Sequence, residues 1–235
     1  MVKISVIIPT LNEEKHIEEC LLSFKKQDFK DYEIIVADGL SSDNTVKIAK
    51  KYTSKVISSM DKSIGAGRNK GAKIAKGELL LFTDADTVVA PNLLKKLNEA
   101  LEGGDIIGAT VEMKAKEKPT IFEHVGLILY NFLVRISLIF QFLTPQVAGV
   151  CLCVRKKIFD DVGGFNEEMK TNEDLDFCER AKKYGKFVYV NSTYVKTSLR
   201  RMRRWGHAKF FTYHLISWIN YMLFKKGRTK YTVVR

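Results

Sequence analysis

The sequence predicts an α/β fold, a mostly parallel sheet with helices on both faces. Over the first 115 residues, short apolar runs at 4–8, 33–37, 56–58 and 78–83 alternate with stretches of helical periodicity. Helical crossovers of this kind join neighbouring parallel strands. The composition agrees: 235 residues, 46% hydrophobic and 28% charged, are ordinary for a globular chain and enough to bury a core. In such a fold ligands gather at the carboxyl ends of the strands, so the residues just after each strand carry the functional reading.

Taken in order, Ile4 to Ile8 is an apolar run ending at Pro9. It has neither the length nor the cleavage site of a secretory signal and reads as a strand. Asn12 is expected to cap a helix whose Ile17, Cys20, Leu21 and Phe24 recur at helical spacing. Glu33 to Ala37 is the second strand, closed by Asp38-Gly39, and Asp43 is expected to cap a helix through Val46, Ile48 and Ala49. Val56 to Ser58 is a short third strand, residues 66–76 a helix, and Glu78 to Thr83 a fourth strand. Pro91 sits as a first-turn proline before Leu93, Leu94 and Leu97. Phe187 to Val190 and Tyr194 to Lys196 are strand-like.

The net charge of +12 is not evenly spread. From Arg180 to Arg235 there are 15 basic residues and no acidic one, which leaves 24 basic and 27 acidic residues before them, net −3. A nearly neutral body with a basic final quarter calls for an anionic partner at that quarter. A nucleic-acid-binding protein is the alternative from a different class, disfavoured because the cations alternate with too much aliphatic surface for a stacking platform or recognition helix. Cys20, Cys151, Cys153 and Cys178 show neither a disulfide framework nor zinc-ligand spacing and read as buried free thiols.

The residues just past the strands are acidic or polar. The glycine fingerprint of a dinucleotide-binding domain is absent after the first strand, since Gly65-Ala66-Gly67 and Gly71 have the wrong spacing and place. No phosphate loop with its lysine occurs either. Asp84-Ala85-Asp86, just past the fourth strand, offers two carboxylates that suit a hard divalent cation whose remaining positions go to substrate phosphates.

Together, Ser5-Val-Ile-Ile-Pro-Thr-Leu-Asn-Glu-Glu14, Ile35-Val-Ala-Asp-Gly-Leu-Ser-Ser-Asp-Asn-Thr45, Gly67-Arg-Asn-Lys-Gly71, Asp84-Ala-Asp86 and Asn172-Glu-Asp174 resemble the ordered motifs of the family 2 inverting glycosyltransferases. The resemblance covers residues 4 to about 205 and implies the GT-A, Rossmann-like fold of that family. It also implies transfer of a sugar from a nucleoside-diphosphate donor, with Mn²⁺ or Mg²⁺ on the diphosphate. By the same resemblance Pro9, Thr10, Asn12, Glu13 and Asp38 line the nucleoside pocket. Arg68 and Asn69 close over the donor, Asp84 faces ribose or sugar, Asp86 with Asp84 holds the metal, and Asp174 is the catalytic base. Glu173 lies on the acceptor side or is an exposed acid of a helix first turn. One departure is Gly39, where many relatives carry a second Asp.

The chemistry calls for these residue types. A metal and cationic side chains stabilise charge developing on a departing diphosphate, and a carboxylate within about 3 Å can take the acceptor hydroxyl's proton. Thr197-Ser-Leu-Arg-Arg-Met-Arg-Arg-Trp-Gly206 resembles the Arg/Trp segment that relatives place over the donor diphosphate, with Arg200, Arg201 and Arg204 as donor contacts and Trp205 on the acceptor side. It lacks the Gln-x-x-Arg-Trp of processive synthases.

Two segments speak of a surface. Between Ile121 and Leu143 the polar residues Glu123, His124, Asn131, Arg135 and Gln141 fall in one narrow sector of a helical wheel, and the rest is apolar. Such a helix either packs between other elements or lies in a membrane interface. No run reaches the length of a clear transmembrane helix. Phe211, Leu215, Ile216, Trp218, Ile219, Met222 and Leu223 share one side of a second helix, followed by the cations of Lys225 to Lys230.

The expected organisation is a glycosyltransferase domain over 1–205 and a basic amphipathic tail over 206–235. Within the domain, 1–115 binds nucleotide and 116–205 is the acceptor half, with the amphipathic segment 121–143. The expected enzyme is a monotopic hexosyltransferase at the cytoplasmic face of a membrane, acting on a lipid-linked or glycolipid acceptor at an anionic surface. GDP-mannose is the favoured donor and a UDP-sugar with a soluble saccharide acceptor the alternative. A homodimer is the other way to cover the apolar helices.

Overall fold

Side-chain alternation along the first strand, β1 (Ile4–Thr10), divides the core into two layers. Ile4, Val6 and Ile8 face Cys20, Leu21 and Phe24 of α1 (Ile17–Lys25), with Leu93, Leu94 and Leu97 of α4 (Leu93–Ala100) beside them. Ile7 points the other way, against Ala72 of α3 (Ile64–Ile74). The same period of two sorts Leu79 and Leu81 from Leu80 and Phe82 on β4 (Leu79–Thr83), and Cys151 and Cys153 from Leu152 and Val154 on β7 (Cys151–Arg155). Helices therefore cover both faces, and all four cysteines are buried free thiols.

The structure, a computed structural model, describes residues 2–58, 63–140 and 145–225. The remaining strands are β2 (Tyr32–Asp38), β3 (Val56–Ser58), β5 (Val88–Val89), β6 (Ile106–Ala115) and β8 (Lys186–Thr197). They form one sheet in the order β3-β2-β1-β4-β7-β6-β8-β5. The first four are mutually parallel, β7 enters antiparallel between β4 and β6, and β6 and β8 are parallel again. The remaining helices are α2 (Thr45–Ala49), α5 (Ile121–Ile139), α6 (Lys156–Val162), α7 (Glu173–Ala181), α8 (Arg200–Trp205) and α9 (His207–Phe224).

Three expectations need correction. Asn12 does not cap α1: it takes a left-handed φ of 53° in the loop, and His16 stands at the helix N-cap. Pro91 precedes α4 instead of opening it, since Asn92 is the N-cap. The strand-like pieces at 187–190 and 194–196 are one strand, β8, whose register against β6 slips between Val111 and Glu112.

The helix at Ile121–Ile139 is long and apolar enough to cross a membrane by length and composition alone. Two residues of its polar sector, Glu123 and Asn131, nevertheless face the protein, while His124 and Arg135 are exposed. Asn131 bonds both backbone groups of Met113 on β6, and Glu123 is buried under Arg203 of α8. The apolar sector is open, with Ile121 87% exposed and Phe122, Val125, Ile128 and Phe132 also exposed. Gln141 and residues 142–143 of that predicted segment lie outside the described residues. The predicted tail is no free appendage up to Lys225, because α9 packs on the body through buried Ser217 and Tyr221. The cations from Lys226 to Lys230 again lie outside the described residues.

Gly77, between α3 and β4, donates its N–H to Ser5 Oγ (2.8 Å), and a Cβ there would come within 2.5 Å of the Ser5 backbone nitrogen. Gly77→Ala should cost about 1–3 kcal/mol, the usual range for overpacking against backbone. Gly104→Ala, where a Cβ meets nothing within 4 Å, should be near neutral. Urea denaturation of both variants checks the pair.

Candidate active site

The loops after β1 and β2 are sewn into one rigid rim. Gly39 N–H donates to Thr10 O (2.8 Å), Asn12 N–H to Ser41 Oγ (2.8 Å), Ser42 N–H to Asn12 Oδ1 (2.7 Å) and Glu13 N–H to Thr45 Oγ1 (2.7 Å). Asp38 is buried at the centre of this rim, accepting from Thr10 Oγ1 (3.1 Å) and from the backbone N–H of Ser41 (2.8 Å). Asp43 accepts from Thr45 N–H (2.9 Å) at the start of α2. Leu40 takes the left-handed φ of 66° that this turn requires. Pro9 packs beside it, its Cβ 3.4 Å from where a Cβ on Gly67 would sit.

Asp84 and Asp86 follow β4 on the same edge. Asp86 is 14% exposed and lies 3.3 Å from Arg200 Nη2, which also donates to Glu13 Oε1 (2.5 Å). Burial, followed by the charge of Asp84, pushes the Asp86 carboxyl up to about 6, while Arg200 opposes the rise. Glu13 Oε2 is buried with no hydrogen-bond partner. Two carboxylates, Glu13 after β1 and Asp86 after β4, thus meet one guanidinium, with Asp84 paired to Arg68 beside them. Hard oxygen donors with an unsatisfied buried acceptor beside them suit Mg²⁺ or Mn²⁺, which need only one or two protein carboxylates when phosphates supply the rest. No group of three or more ligands is preassembled among the described residues.

Arg68 ties this edge to the second half of the molecule. It is 2% exposed, and its Nη2 donates to Asp84 Oδ1 (3.1 Å) while its Nη1 donates to Glu173 Oε1 (2.8 Å). Its guanidinium also lies 5.4 Å from the centre of the Phe165 ring. Arg68 is therefore a buried clamp between the Asp84 loop and the start of α7. Asn69 is used in the same way, donating to Phe165 O (2.9 Å) and accepting from Phe165 N–H (2.9 Å).

Glu173 is 7% exposed, which corrects its reading as an exposed first-turn acid. Burial and the neighbouring Asp174 raise its carboxyl, and Arg68 works against them. Asp174 is half-buried, with Oδ2 accepting from Gly149 N–H (2.6 Å) and Oδ1 from Leu175 N–H (2.8 Å). Those two bonds fix the carboxylate and leave lone pairs for an incoming hydroxyl.

Of the α8 residues, Arg200 reaches the strand end directly, the charge of Arg201 acts on Asp86, and Arg204 is exposed. Trp205 packs edge-on against Tyr213 (5.1 Å between centroids), at the corner between α8 and α9. Sequence reasoning missed Arg203, whose Nε and Nη2 make a bidentate pair with Glu123 (2.9 Å each) and hold α8 to α5. It also missed Gly149, where any Cβ would run into the Arg68 guanidinium. Neither carries a local signal, because each acts through a partner about 80 residues away.

Residues 5–163 match the sequence pattern of Glycosyl transferase family 2. The chain belongs to that family. Family 2 relatives include the poly(ribitol-phosphate) β-N-acetylglucosaminyltransferase TarS of Staphylococcus aureus, 41% identical over 103 residues, which cover 40% of this chain and 18% of TarS. The GalNAc(5)-diNAcBac-PP-undecaprenol β-1,3-glucosyltransferase of Campylobacter jejuni is 30% identical over 182 residues, 74% of this chain and 58% of that protein. Among solved structures, TarS 1–349 superposes with a TM-score of 0.66 at 26% identity over 86% of this chain and 62% of that one. A Pyrobaculum calidifontis mannosyltransferase in complex with GDP-Man and Mn²⁺ gives 0.68 at 19% identity, covering 91% of this chain and 64% of that one, and so shares the GT-A fold. The chain spans less than two thirds of the length of these relatives.

The raised Asp86 carboxyl makes a sign-definite prediction. With a folded value of about 6 against an ordinary 3.8, its neutral form is the stabilising one. That stability is complete below about 4 and is lost as pH rises through 6. Asp86→Asn in metal-free buffer should thus be more stable than the parent at pH 7, by up to about 3 kcal/mol, and equal to it near pH 3.5. Paired thermal melts across this range check the sign.

Proposed function

We propose that this family 2 protein transfers a hexose, with inversion, from a nucleoside-diphosphate sugar to a lipid-linked or glycolipid acceptor at an anionic membrane surface. The observation that carries the catalytic part is the Arg68 bridge, which places the strand end bearing Asp84 and Asp86 beside the helix start bearing Glu173 and Asp174. A carboxylate held by two backbone N–H groups on one side, and a cluster of cation-binding carboxylates on the other, is what a single displacement needs.

Asp86 with Asp84 would hold Mn²⁺ or Mg²⁺. The metal supplies charge stabilisation to the departing diphosphate. Arg200 and Arg201 border the same space with guanidinium groups suited to phosphate oxygens, and the exposed Arg204 follows on the same short helix. The rim of Pro9, Thr10, Asn12, Glu13 and Asp38 is the nucleoside seat, its backbone preorganised by the bonds between the two loops. Asp174 takes the proton of the acceptor hydroxyl as the glycosidic bond forms, and inversion follows from attack opposite the leaving group. Asn69 positions the Phe165 segment around Arg68.

For the donor, the sequence reading favoured GDP-mannose. TarS, structures of which contain UDP and UDP-GlcNAc, is one relative whose identity extends beyond fold, and it supports a UDP-sugar as the second reading. The acceptor reading draws on the undecaprenol-linked substrate in the name of the Campylobacter relative and on the open apolar faces of α5 and α9. The tail cations add an anionic-headgroup preference.

Two measurements test this. In a thermal-shift panel, UDP or GDP with Mn²⁺ should raise the Tm of the parent, and Asp86→Ala should abolish the metal-dependent part of the rise. Asp174→Asn should keep that nucleotide shift yet lose about 10²–10⁴-fold in transfer rate, the usual worth of a general base. Transfer at the parental rate in Asp174→Asn would reject the assignment.

A further inference from the structure

The last described helix, α9, touches the segment before Asp174 with one face and leaves Leu215, Ile216, Trp218 and Leu223 exposed on the other. On the inner face Ser217 and Tyr221 are each 1% exposed. Ser217 Oγ lies 2.9 Å from Thr171 Oγ1, and Asn172 Nδ2 donates to both Ser217 O (2.9 Å) and Ser217 Oγ (3.0 Å). Tyr221, one turn on, packs with Met169 and Leu175. Asn172 stands in the left-handed region at φ 62°, directly before Glu173 and Asp174. The backbone that aims the base therefore turns through a non-glycine residue whose side chain is held from α9.

The outer face has the opposite character. Leu215, Ile216, Trp218 and Leu223 are exposed, and this surface continues onto α5 through the Phe122–Phe211 edge contact at 5.9 Å. On both helices buried hydrogen-bonding residues, Glu123 and Asn131 of α5 and Ser217 of α9, point into the protein, while most of the large apolar residues face outward. Water does not favour that arrangement, so an apolar phase covers the face. The rim indicates which phase. Lys118, Arg135 and Lys209 are exposed on or next to the two helices, and in the sequence the stretch that begins at the end of α9, 225–235, has five cations and no acid. Apolar side chains edged by cations match an anionic bilayer, whereas a second copy would set cation against cation.

We propose that α9 couples bilayer seating to the catalytic base: Ser217 and Tyr221 are positioning residues through which a helix lying on an anionic bilayer orders residues 171–174 and sets Asp174. This rests on the lipid-surface part of the proposed function. It makes the base loop fully ordered only where the acceptor is found and leaves it looser in solution, where water would otherwise compete as acceptor.

Hydrogen exchange of the full chain, alone and with phosphatidylcholine vesicles containing phosphatidylglycerol, tests it without knowledge of donor or acceptor. Vesicles should slow exchange in 207–224 and also in 171–178, the latter by about fivefold or more, with β1 and β4 unchanged. Ser217→Ala should float with the vesicles as the parent does and keep the protection of 207–224, but lose the vesicle-dependent slowing of 171–178. A Ser217 with a merely structural role would change exchange there equally with and without vesicles. Protection of 207–224 with no change at 171–178 in the parent would overturn the coupling and leave the lipid reading standing. Failure to float at low salt would overturn the lipid reading and the coupling with it, and a dimer by light scattering in the same sample would name a second copy as the cover.

Discussion

The site depends on one buried guanidinium. Arg68 joins Asp84, on the loop after β4, to Glu173, at the start of α7, and these two segments belong to halves of the sheet separated by the antiparallel β7. A buried cation is tolerable only with its partners in place, and removing one partner of such a pair typically costs about 3–5 kcal/mol. That makes the relative position of the two loops stiff. The surroundings are built for it: Gly149 leaves room for the guanidinium and gives its N–H to Asp174, and Asn69 secures Phe165 beside it.

From this clamp the two chemical tasks separate in space. On one side Glu13, Asp84 and Asp86 accumulate negative charge that Arg200 only partly offsets, a stored electrostatic cost that a divalent ion and a diphosphate would relieve. On the other, Asp174 is aimed by backbone donors. The basic residues after Arg180 divide similarly. Arg200 serves the strand end, Arg203 holds α8 to α5 through Glu123, and Lys209 is exposed on α9, the helix that carries part of the apolar face. A single net charge conceals three separate duties.

Legibility in the sequence followed the range of the interactions. The parallel strands β1 to β4, and the loops that carry Thr10, Asp38 and Asp84, were readable because alternation, turn chemistry and short motifs are local properties. β6 and β7 were not placed, since each contains small or polar residues and only pairing with neighbours makes them strands. The helix at Ile121–Ile139 was readable as amphipathic, but its polarity relative to the body was not. A wheel gives two faces without saying which one meets the protein.

What the sequence by itself determined was the fold of the first 115 residues, the family, and the residue types gathered at the strand ends, because these rest on periodicity and on motifs a few residues long. The tertiary structure alone decided that Arg68 and Glu173 are a buried pair, that Gly149 donates to Asp174, and that α5 and α9 turn apolar faces outward while Ser217 holds Asn172. Each of those pairings joins residues 25 to 105 positions apart. Contacts at such separations are set by the packing of whole elements, and no local pattern in the chain encodes them.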